Sequence, residues 1–396
     1  MGFAELWESL LTVGGDAAAG YRRFTWNDAE LECRAWFRRE AAARDLAVEE
    51  DRNGNLYAWW SPGGAAGRAV LTGSHFDSVP GGGAFDGPLG IVSAFAALDL
   101  LRERGFRPSR PVGIAAFAEE EGARFGVACL GSRLLSGEID AERARGLTDA
   151  GGITFAEAAA AHGLDPALLG RDDERLGRIG CFVELHVEQG RALDVPVGVA
   201  SAIWPHGRWR LDFHGHGDHA GTTRLADRRD PMLPFAHAVI AAREAAERHG
   251  TRATVGKVEV EPGGVNVIAS RVTAWLDARG ARDESVRETV ADVRRTAEET
   301  AEGHGVGFAL REESYTAVVD FNTALRDRLA AALGGVPVLP TGAGHDAGIL
   351  SAHLPTAMLF VRNPTGVSHA PAEHAEPGDC LAGVEALATV LAELAG

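Results

Sequence analysis

The sequence is poor in cysteine, and its cysteines form no recognisable pair. The four are Cys33, Cys129, Cys181 and Cys380, and none has the CxxC spacing of a thiolate zinc site. Their wide separation also argues against the disulfide framework of a small secreted domain. We therefore expect reduced, mostly buried thiols in a cytoplasmic protein.

The sequence also lacks a basic excess and any long apolar run. Its net charge is -17, whereas a nucleic-acid-binding protein needs basic patches that contact phosphates. No stretch approaches the roughly 18 consecutive apolar residues of a membrane span. The opening residues, MGFAELWESLL, lack the basic region and the long apolar core of a signal peptide. These absences argue against nucleic acid and membrane as partners.

The first half of the chain has the pattern of an α/β domain with a largely buried sheet. Apolar strands alternate here with amphipathic helices, and Asn53-Gly54 indicates a tight hairpin. We predict helices over 26–44 and 89–104, and strands over 69–74, 111–118 and 180–186. Ligands of such sheets gather at the carboxyl ends of the strands, where His75, Glu119 to Glu121 and His186 stand.

Near residue 206 the alternation of strands and helices gives way to the predicted order βαββαβ, which indicates one compact two-layer unit. A chain of 396 residues is long enough for two or three domains. We predict an inserted domain over 207–317, with 1–206 and 318–396 forming the two parts of the first domain. The final segment, with the strand PTAMLFVR and a C-terminal helix, would complete the α/β domain.

Histidines and carboxylates follow several predicted strands, and together they indicate a metal site. The candidates are His75, Asp77, Asp86, Glu120, Glu121, His186 and His369. Imidazole and carboxylate ligands suit zinc, manganese, cobalt or nickel. Each residue alone also has an ordinary explanation, as a surface histidine, a solvated glutamate pair or a turn-forming aspartate. Three glutamates after a buried strand nevertheless require compensating positive charge, which a pair of divalent cations would supply.

Several motifs occur in the order seen in one family. They are GSHFDSVPGGGAFDGPLG, FAEEEGARFG, ELHVEQG, DHAGTT, EPGGVNVI, GAGHDA and SHAP. On these motifs the chain resembles the N-carbamoyl-L-amino-acid hydrolases and allantoate amidohydrolases. These form the hydantoinase/carbamoylase branch of the aminoacylase-like di-metal peptidases. The resemblance runs from about Leu71 to His369, and it implies a di-metal aminopeptidase-like α/β domain with a mixed sheet and an inserted lid or dimerisation domain.

The resemblance implies a role for each metal-site residue. Asp86 would bridge two divalent ions, with His75 and His186 completing one metal site and Glu121 and His369 the other. Glu120 would be the general base, and Asp77 would hold the imidazole of His75 in the right tautomer. The family pattern aligns on Gly122, Arg124 and Phe125, which selects Glu120 and Glu121 from the three glutamates. Glu119 receives no catalytic role.

The resemblance also implies how a substrate is bound. His219 of DHAGTT would stabilise the oxyanion from the lid of the other subunit of a homodimer. Asn266 and Arg279 would bind the substrate carboxylate, for which a bidentate guanidinium is well suited. Gln189 would form a hydrogen bond with the carbamoyl amide, and Gly344 and His345 would line the same pocket. From the residues alone, a strand-end arginine such as Arg279 is more often a surface residue, and His219 could simply lie on the surface of the lid.

Two departures from the family pattern leave the side-chain preference of the substrate open. Arg224-Leu225 stands where Pro-Met is common, and Trp204-Pro205 stands where simpler residues are usual. The leading hypothesis is hydrolysis of an N-carbamoyl-L-amino acid, with allantoate or β-ureidopropionate as rival substrates. An N-acyl amino-acid hydrolase or peptidase is an alternative, against which His186 and Gln189 argue. A catalytically inactive binding protein would have lost a ligand or the base, and every expected position is present.

Overall fold

A computed structural model describes residues 2–16 and 18–396 of the chain. The helices are α1 Phe3–Leu11, α2 Asp28–Ala42, α3 Pro88–Glu103, α4 Leu130–Ser136, α5 Ala141–Arg145, α6 Phe155–Ala161, α7 Asp173–Arg178, α8 Met232–His249, α9 Asp283–Gly303, α10 Thr323–Ala332, α11 Asp346–Leu350 and α12 Pro377–Ala395. The strands are β1 Gly15–Asp16, β2 Gly20–Tyr21, β3 Ala47–Glu50, β4 Leu56–Trp60, β5 Ala69–His75, β6 Val112–Phe117, β7 Ile179–Val187, β8 Val197–Ile203, β9 His206–His214, β10 Asp218–His219, β11 Thr251–Glu261, β12 Val267–Ile268, β13 Arg271–Gly280, β14 Gly307–Thr316, β15 Val319–Asp320, β16 Val338–Thr341 and β17 Thr356–Val361.

The chain divides into two compact units. The first combines Met1–Ala202 with Asp320–Gly396, and the second is Ile203–Val319. No helix in the described part of the chain combines the length and apolar character that crossing a bilayer requires. The four cysteines are buried and free.

A nine-stranded mixed sheet organises the first unit. Its strand order is β15-β8-β17-β7-β5-β6-β4-β3, with β16 paired to β8. The pairs β17–β7, β7–β5 and β5–β6 are parallel, whereas β3–β4, β4–β6 and β8–β17 are antiparallel. Every residue of β5 and β6 is buried, as expected for strands covered on both faces. The predicted mixed α/β fold is confirmed.

The core of the first unit is apolar and continuous between the sheet and its helices. Helices α3 and α12 pack against each other and against the sheet, and they bury Phe95 and Leu387. The helix predicted over 26–44, with Asn27 or Asp28 as its start signal, runs over Asp28–Ala42, and the side chain of Asn27 accepts the main-chain N–H of Glu30 as an N-cap. The four short helices α4 to α7 between residues 130 and 178 have no counterpart in the sequence-based prediction.

The second unit is an antiparallel sheet covered by two helices. The sheet order is β11-β13-β9-β14, and α8 and α9 pack on it around Phe213, Leu276 and Val293. The order β9-α8-β11-β13-α9-β14 is the predicted βαββαβ arrangement. Helix α8 ends at Gly250, whose positive φ of 65° closes the helix.

Candidate metal centre

The parallel strands carry the site residues to one edge of the large sheet. His75 is the last residue of β5, His186 precedes the last residue of β7, and Glu120 follows β6. Asp86 arrives from the loop between β5 and α3. Gly87 lets this loop pass close to the His75 ring, since a Cβ at this position would lie 2.5 Å from Cε1 of His75. The φ of 85° at Gly87 also favours glycine.

Asp86 lies at the centre of the cluster. Its Oδ1 is 3.2 Å from Nε2 of His186 and 3.5 Å from Nε2 of His75. Its Oδ2 is 3.3 Å from Nε2 of His369, which is 3.7 Å from Oε2 of Glu121. The structure therefore brings the five candidate ligands together as two groups that share Asp86: His75, Asp86 and His186, and Asp86, Glu121 and His369.

The two buried imidazoles are oriented so that Nε2 of each could bind a metal ion. The Nδ1–H of His75 donates to the carbonyl oxygen of Asp77 at 2.9 Å, and that of His186 donates to the carbonyl oxygen of Val187 at 2.9 Å. Because a carbonyl only accepts, each neutral ring keeps its lone pair on Nε2. Neither Nε2 has a hydrogen-bond partner among the described residues, and both face the Asp86 carboxylate. A lone pair facing a carboxylate fits a cation between them, so the donor set fits divalent metal ions.

The electrostatics of the cluster also favour a bound cation. Burial raises the pKa of Glu120 well above its usual value, and the neighbouring acids Asp346, Glu121 and Asp77 add to the rise. Burial and the charge of Asp86 likewise raise the pKa of Glu121 to about 7. Positive charge among these buried carboxylates would restore their ionised forms.

Asp77 holds the loop that carries the glutamates. Its carboxylate accepts the main-chain N–H of Glu120 at 3.1 Å and that of Glu121 at 3.0 Å. It is the carbonyl of Asp77, at 2.9 Å, that contacts the His75 ring, since its carboxylate lies 3.6 Å away. Glu119 accepts the N–H groups of Arg124 and Phe125 and so braces the following turn.

Gln189 lies directly beside the shared ligand. Its Nε2 donates to Oδ2 of Asp86 at 2.8 Å and to Oγ of Ser368 at 3.0 Å. Its Oε1 is buried and has no hydrogen-bond partner in the described ranges. Gln189 thus presents an unused acceptor next to the candidate metal groups. His345 is buried with its ring centroid 4.5 Å from that of His186, and the preceding Gly344 is exposed.

In the second unit, His219 and Asn266 lie on adjacent segments. Strand β10 pairs antiparallel with β12, and the carbonyl of Asn266 accepts the N–H of Ala220 at 2.9 Å. Nδ1 of His219 accepts the N–H groups of Gly221 at 3.0 Å and Thr222 at 3.2 Å. Because Nδ1 accepts, the proton of the neutral ring lies on Nε2, and His219 is exposed as a hydrogen-bond donor.

Arg279, also in the second unit, is held by a carboxylate of its own strand. Its Nε is 2.7 Å from Oδ1 of Asp277, and its Nη2 is 3.0 Å from Oδ2. This bidentate pair fixes the plane of the guanidinium, and both side chains are about one-third exposed. A substrate carboxylate at Arg279 would therefore meet an oriented guanidinium that Asp277 already contacts.

The sequence analysis missed several groups that surround the cluster. Sγ of Cys129 lies 3.4 Å from Oε1 of Glu120, and the hydroxyl of Ser132 donates to the buried Asp346. Glu184, two residues before His186 on the same strand face, forms a third possible ligand group with His186 and His345. The one available signal was the spacing of Glu184 and His186, because alternate residues of a strand share a face.

A sequence model of Peptidase family M20/M25/M40 matches residues 71–393. The chain is 36% identical to an N-carbamoyl-L-amino acid amidohydrolase of Geobacillus stearothermophilus, over 98% of both chains. It is 33% identical to an allantoate amidohydrolase of Escherichia coli K12, over 98% of this chain and 96% of that one. A solved hydantoinase/carbamoylase family amidase from Burkholderia vietnamiensis superposes with a TM-score of 0.88 at 30% identity, over 99% of this chain and 97% of that one.

Proposed function

Because this chain belongs to peptidase family M20/M25/M40, we propose that it hydrolyses the carbamoyl C–N bond of an N-carbamoyl-L-amino acid. The products are the amino acid, carbon dioxide and ammonia. The observation that carries the proposal is Gln189, which donates to Asp86 and keeps a buried, unpartnered Oε1 beside the candidate ligands. A turn of the Gln189 amide on substrate binding would bring that oxygen to an N–H of a carbamoyl group, whereas an acetyl group would offer it a methyl. A site built to accept an N–H rejects an analogue that lacks it.

The two ligand groups that share Asp86 would hold two divalent ions, zinc, manganese, cobalt or nickel. When bound, such a pair polarises a carbonyl and lowers the pKa of water. Glu120 would take the proton of the attacking water and pass it to the leaving nitrogen. Its Oε2 lies 3.7 Å from Nε2 of His75, so the base stands beside the ligand cluster. The carboxylate of Asp77 holds Glu120 in this position by accepting its main-chain N–H.

The second unit would supply the remaining polar contacts. His219 would donate from Nε2 to the oxyanion that forms at the carbamoyl carbon, a role that its tautomer suits. Asn266, on the segment adjoining His219, would bind the substrate carboxylate together with Arg279. Gly344 and His345 would line the pocket near His186.

We also propose that the protein is a cytoplasmic homodimer in which His219 acts on the partner's site. Strand β11 is an edge of the four-stranded sheet, and such edges are normally covered or charged. Beside it lie the exposed apolar side chains Val239 and Ile240 of α8 and Val258 of β11. A second copy paired along this edge would cover them.

Replacing Arg279 with alanine should raise KM for carboxylate-bearing substrates about 10- to 100-fold, because a charge-assisted hydrogen bond is lost. Initial rates over a range of substrate concentration measure this. Arg279→Lys should recover only part of the loss, since an ammonium cannot bind bidentately. The matched control is Arg311→Ala, which removes an exposed arginine that pairs with Glu313 two residues away, as Arg279 pairs with Asp277. An unaltered KM in Arg279→Ala would show that the carboxylate binds elsewhere.

A panel of substrates tests which ureido compound the enzyme takes. The protein, loaded with manganese, cobalt or zinc, is given N-carbamoyl-L-amino acids of different side chains, allantoate, β-ureidopropionate and matched N-acetyl amino acids. We expect ammonia from the N-carbamoyl-L-amino acids at the highest kcat/KM. Ammonia from allantoate or β-ureidopropionate alone would keep the reaction and change the substrate. Hydrolysis of the N-acetyl compounds alone would make the protein an acylase.

A further inference from the structure

A buried carboxylate outside both ligand groups bridges two distant parts of the metal centre. Glu373 lies in the segment between β17 and α12 and is only 5% exposed. Its Oε1 accepts the main-chain N–H of Phe85 at 2.9 Å and that of Asp86 at 2.9 Å. One carboxylate oxygen thus holds the backbone of the shared candidate ligand, 287 residues earlier in the chain.

The same side chain contacts the turn that carries His369. Oε2 of Glu373 lies 3.4 Å from Oγ of Ser368, and that hydroxyl accepts a hydrogen bond from Gln189 at 3.0 Å. His369 itself has a φ of 57°, a left-handed conformation that a residue with a Cβ adopts at a cost in free energy. Such a conformation persists where the surrounding contacts hold it. The contact between Glu373 and Ser368, the residue before His369, is one of them.

The neighbouring glycine indicates that this contact is built into the loop. A Cβ at position 83 would collide with Cβ and Oε1 of Glu373. The φ angle of Gly83 is not positive, so its backbone conformation does not require glycine. The close approach of the two segments is the reason that a residue without a Cβ stands here. The loop that ends in Asp86 therefore packs directly on the carboxylate.

On the premise of the metal-dependent function above, we propose that Glu373 is a positioning residue that sets metal affinity. It aligns Asp86 with His369, so that the ligand group of Asp86, Glu121 and His369 is assembled before an ion arrives. Glu373 contacts none of the reacting atoms. Its removal lets the Asp86 loop and the His369 turn move independently, which weakens metal binding without removing a ligand.

Metal affinity of Glu373→Ala tests this directly. Cobalt or zinc bound per subunit is measured by competition with a chelator of known affinity, and the visible spectrum of the cobalt-loaded protein is recorded. We expect the dissociation constant of the weaker-bound ion to rise about 10- to 100-fold, and activity lost at limiting metal to return with excess metal. Glu373→Gln, whose amide oxygen still accepts both N–H groups, should recover most of the affinity. Glu376→Ala, an exposed glutamate of the same segment, is the control and should match wild type.

Two further results decide the case. Gly83→Ala, which pushes the loop away from the intact carboxylate, should weaken metal binding in the same direction. Should Glu373→Ala fail to fold, Gly83→Ala decides, and wild-type metal affinity in that variant overturns the proposal. Unchanged affinity in a folded Glu373→Ala also overturns it, as does a kcat loss that excess metal does not reverse. If wild type binds metal but releases no ammonia from any ureido compound, the proposed reaction is wrong. The metal affinities of wild type and the variants would still test the positioning role of Glu373.

Discussion

Replacing Glu120 with glutamine should lower kcat for an N-carbamoyl-L-amino acid by about 100- to 10,000-fold. Glutamine keeps the size and the main-chain bond to Asp77 but cannot accept the proton of the attacking water. Because Glu120 belongs to neither ligand group around Asp86, the metal content should stay at the wild-type value. Steady-state kinetics, with metal per subunit measured on the same sample, separates the two quantities.

Glu119→Gln is the matched control for this prediction, since it changes the adjacent residue of the same run. Glu119 accepts main-chain N–H groups of Arg124 and Phe125, which a glutamine oxygen still accepts, so kcat should stay close to wild type. Unchanged turnover in Glu120→Gln would remove Glu120 as the base. Loss in Glu119→Gln alone would shift the assignment of the three glutamates by one position.

Replacing His219 with alanine should lower kcat by about 100- to 1,000-fold, because the oxyanion loses a hydrogen-bond donor. His219→Ala and Glu120→Gln homodimers would both be nearly inactive. A mixed dimer of the two variants, however, holds one site with Glu120 from one subunit and His219 from the other. Random pairing of equal amounts makes about half of the dimers mixed, so about a quarter of wild-type activity should return.

Co-expression of the two variants with different affinity tags allows the mixed dimer to be purified and assayed. If His219 served the site of its own subunit, the mixed dimer would be as inactive as its parents. A monomeric protein would give no doubly tagged species and would contradict the dimer. As a control, a mixed dimer of Glu120→Gln with wild type should have about half of wild-type activity.

The sequence located the candidate ligands because their positions follow from local pattern. Apolar runs placed His75 and His186 at strand ends, and parallel strands bring such ends to one edge of a sheet. The glycine-rich loop around Asp86 indicated a close backbone approach, which Gly87 provides beside the His75 ring. The βαββαβ unit was likewise visible, because its strands and helices have different hydrophobic periods.

What the sequence could not provide depends on contacts between distant segments. Glu373 reaches Asp86 across 287 residues, and Ser132 reaches Asp346 across 214, so neither pair has a local signature. The pairing of Arg279 with Asp277 was within reach, since residues two apart in a strand share a face. The helices α4 to α7 are only five to seven residues long, too short for a clear helical period.

The most direct test of the central claim compares one N-carbamoyl-L-amino acid with its N-acetyl counterpart on the same protein. Ammonia and free amino acid are measured for chelator-treated protein and for the same protein after addition of a divalent metal. We predict ammonia and amino acid in equal amounts from the carbamoyl compound, only after metal addition, and little release from the acetyl compound. Equal or faster release from the acetyl compound, or full ammonia release by the chelated protein, would contradict a metal-dependent ureido hydrolase.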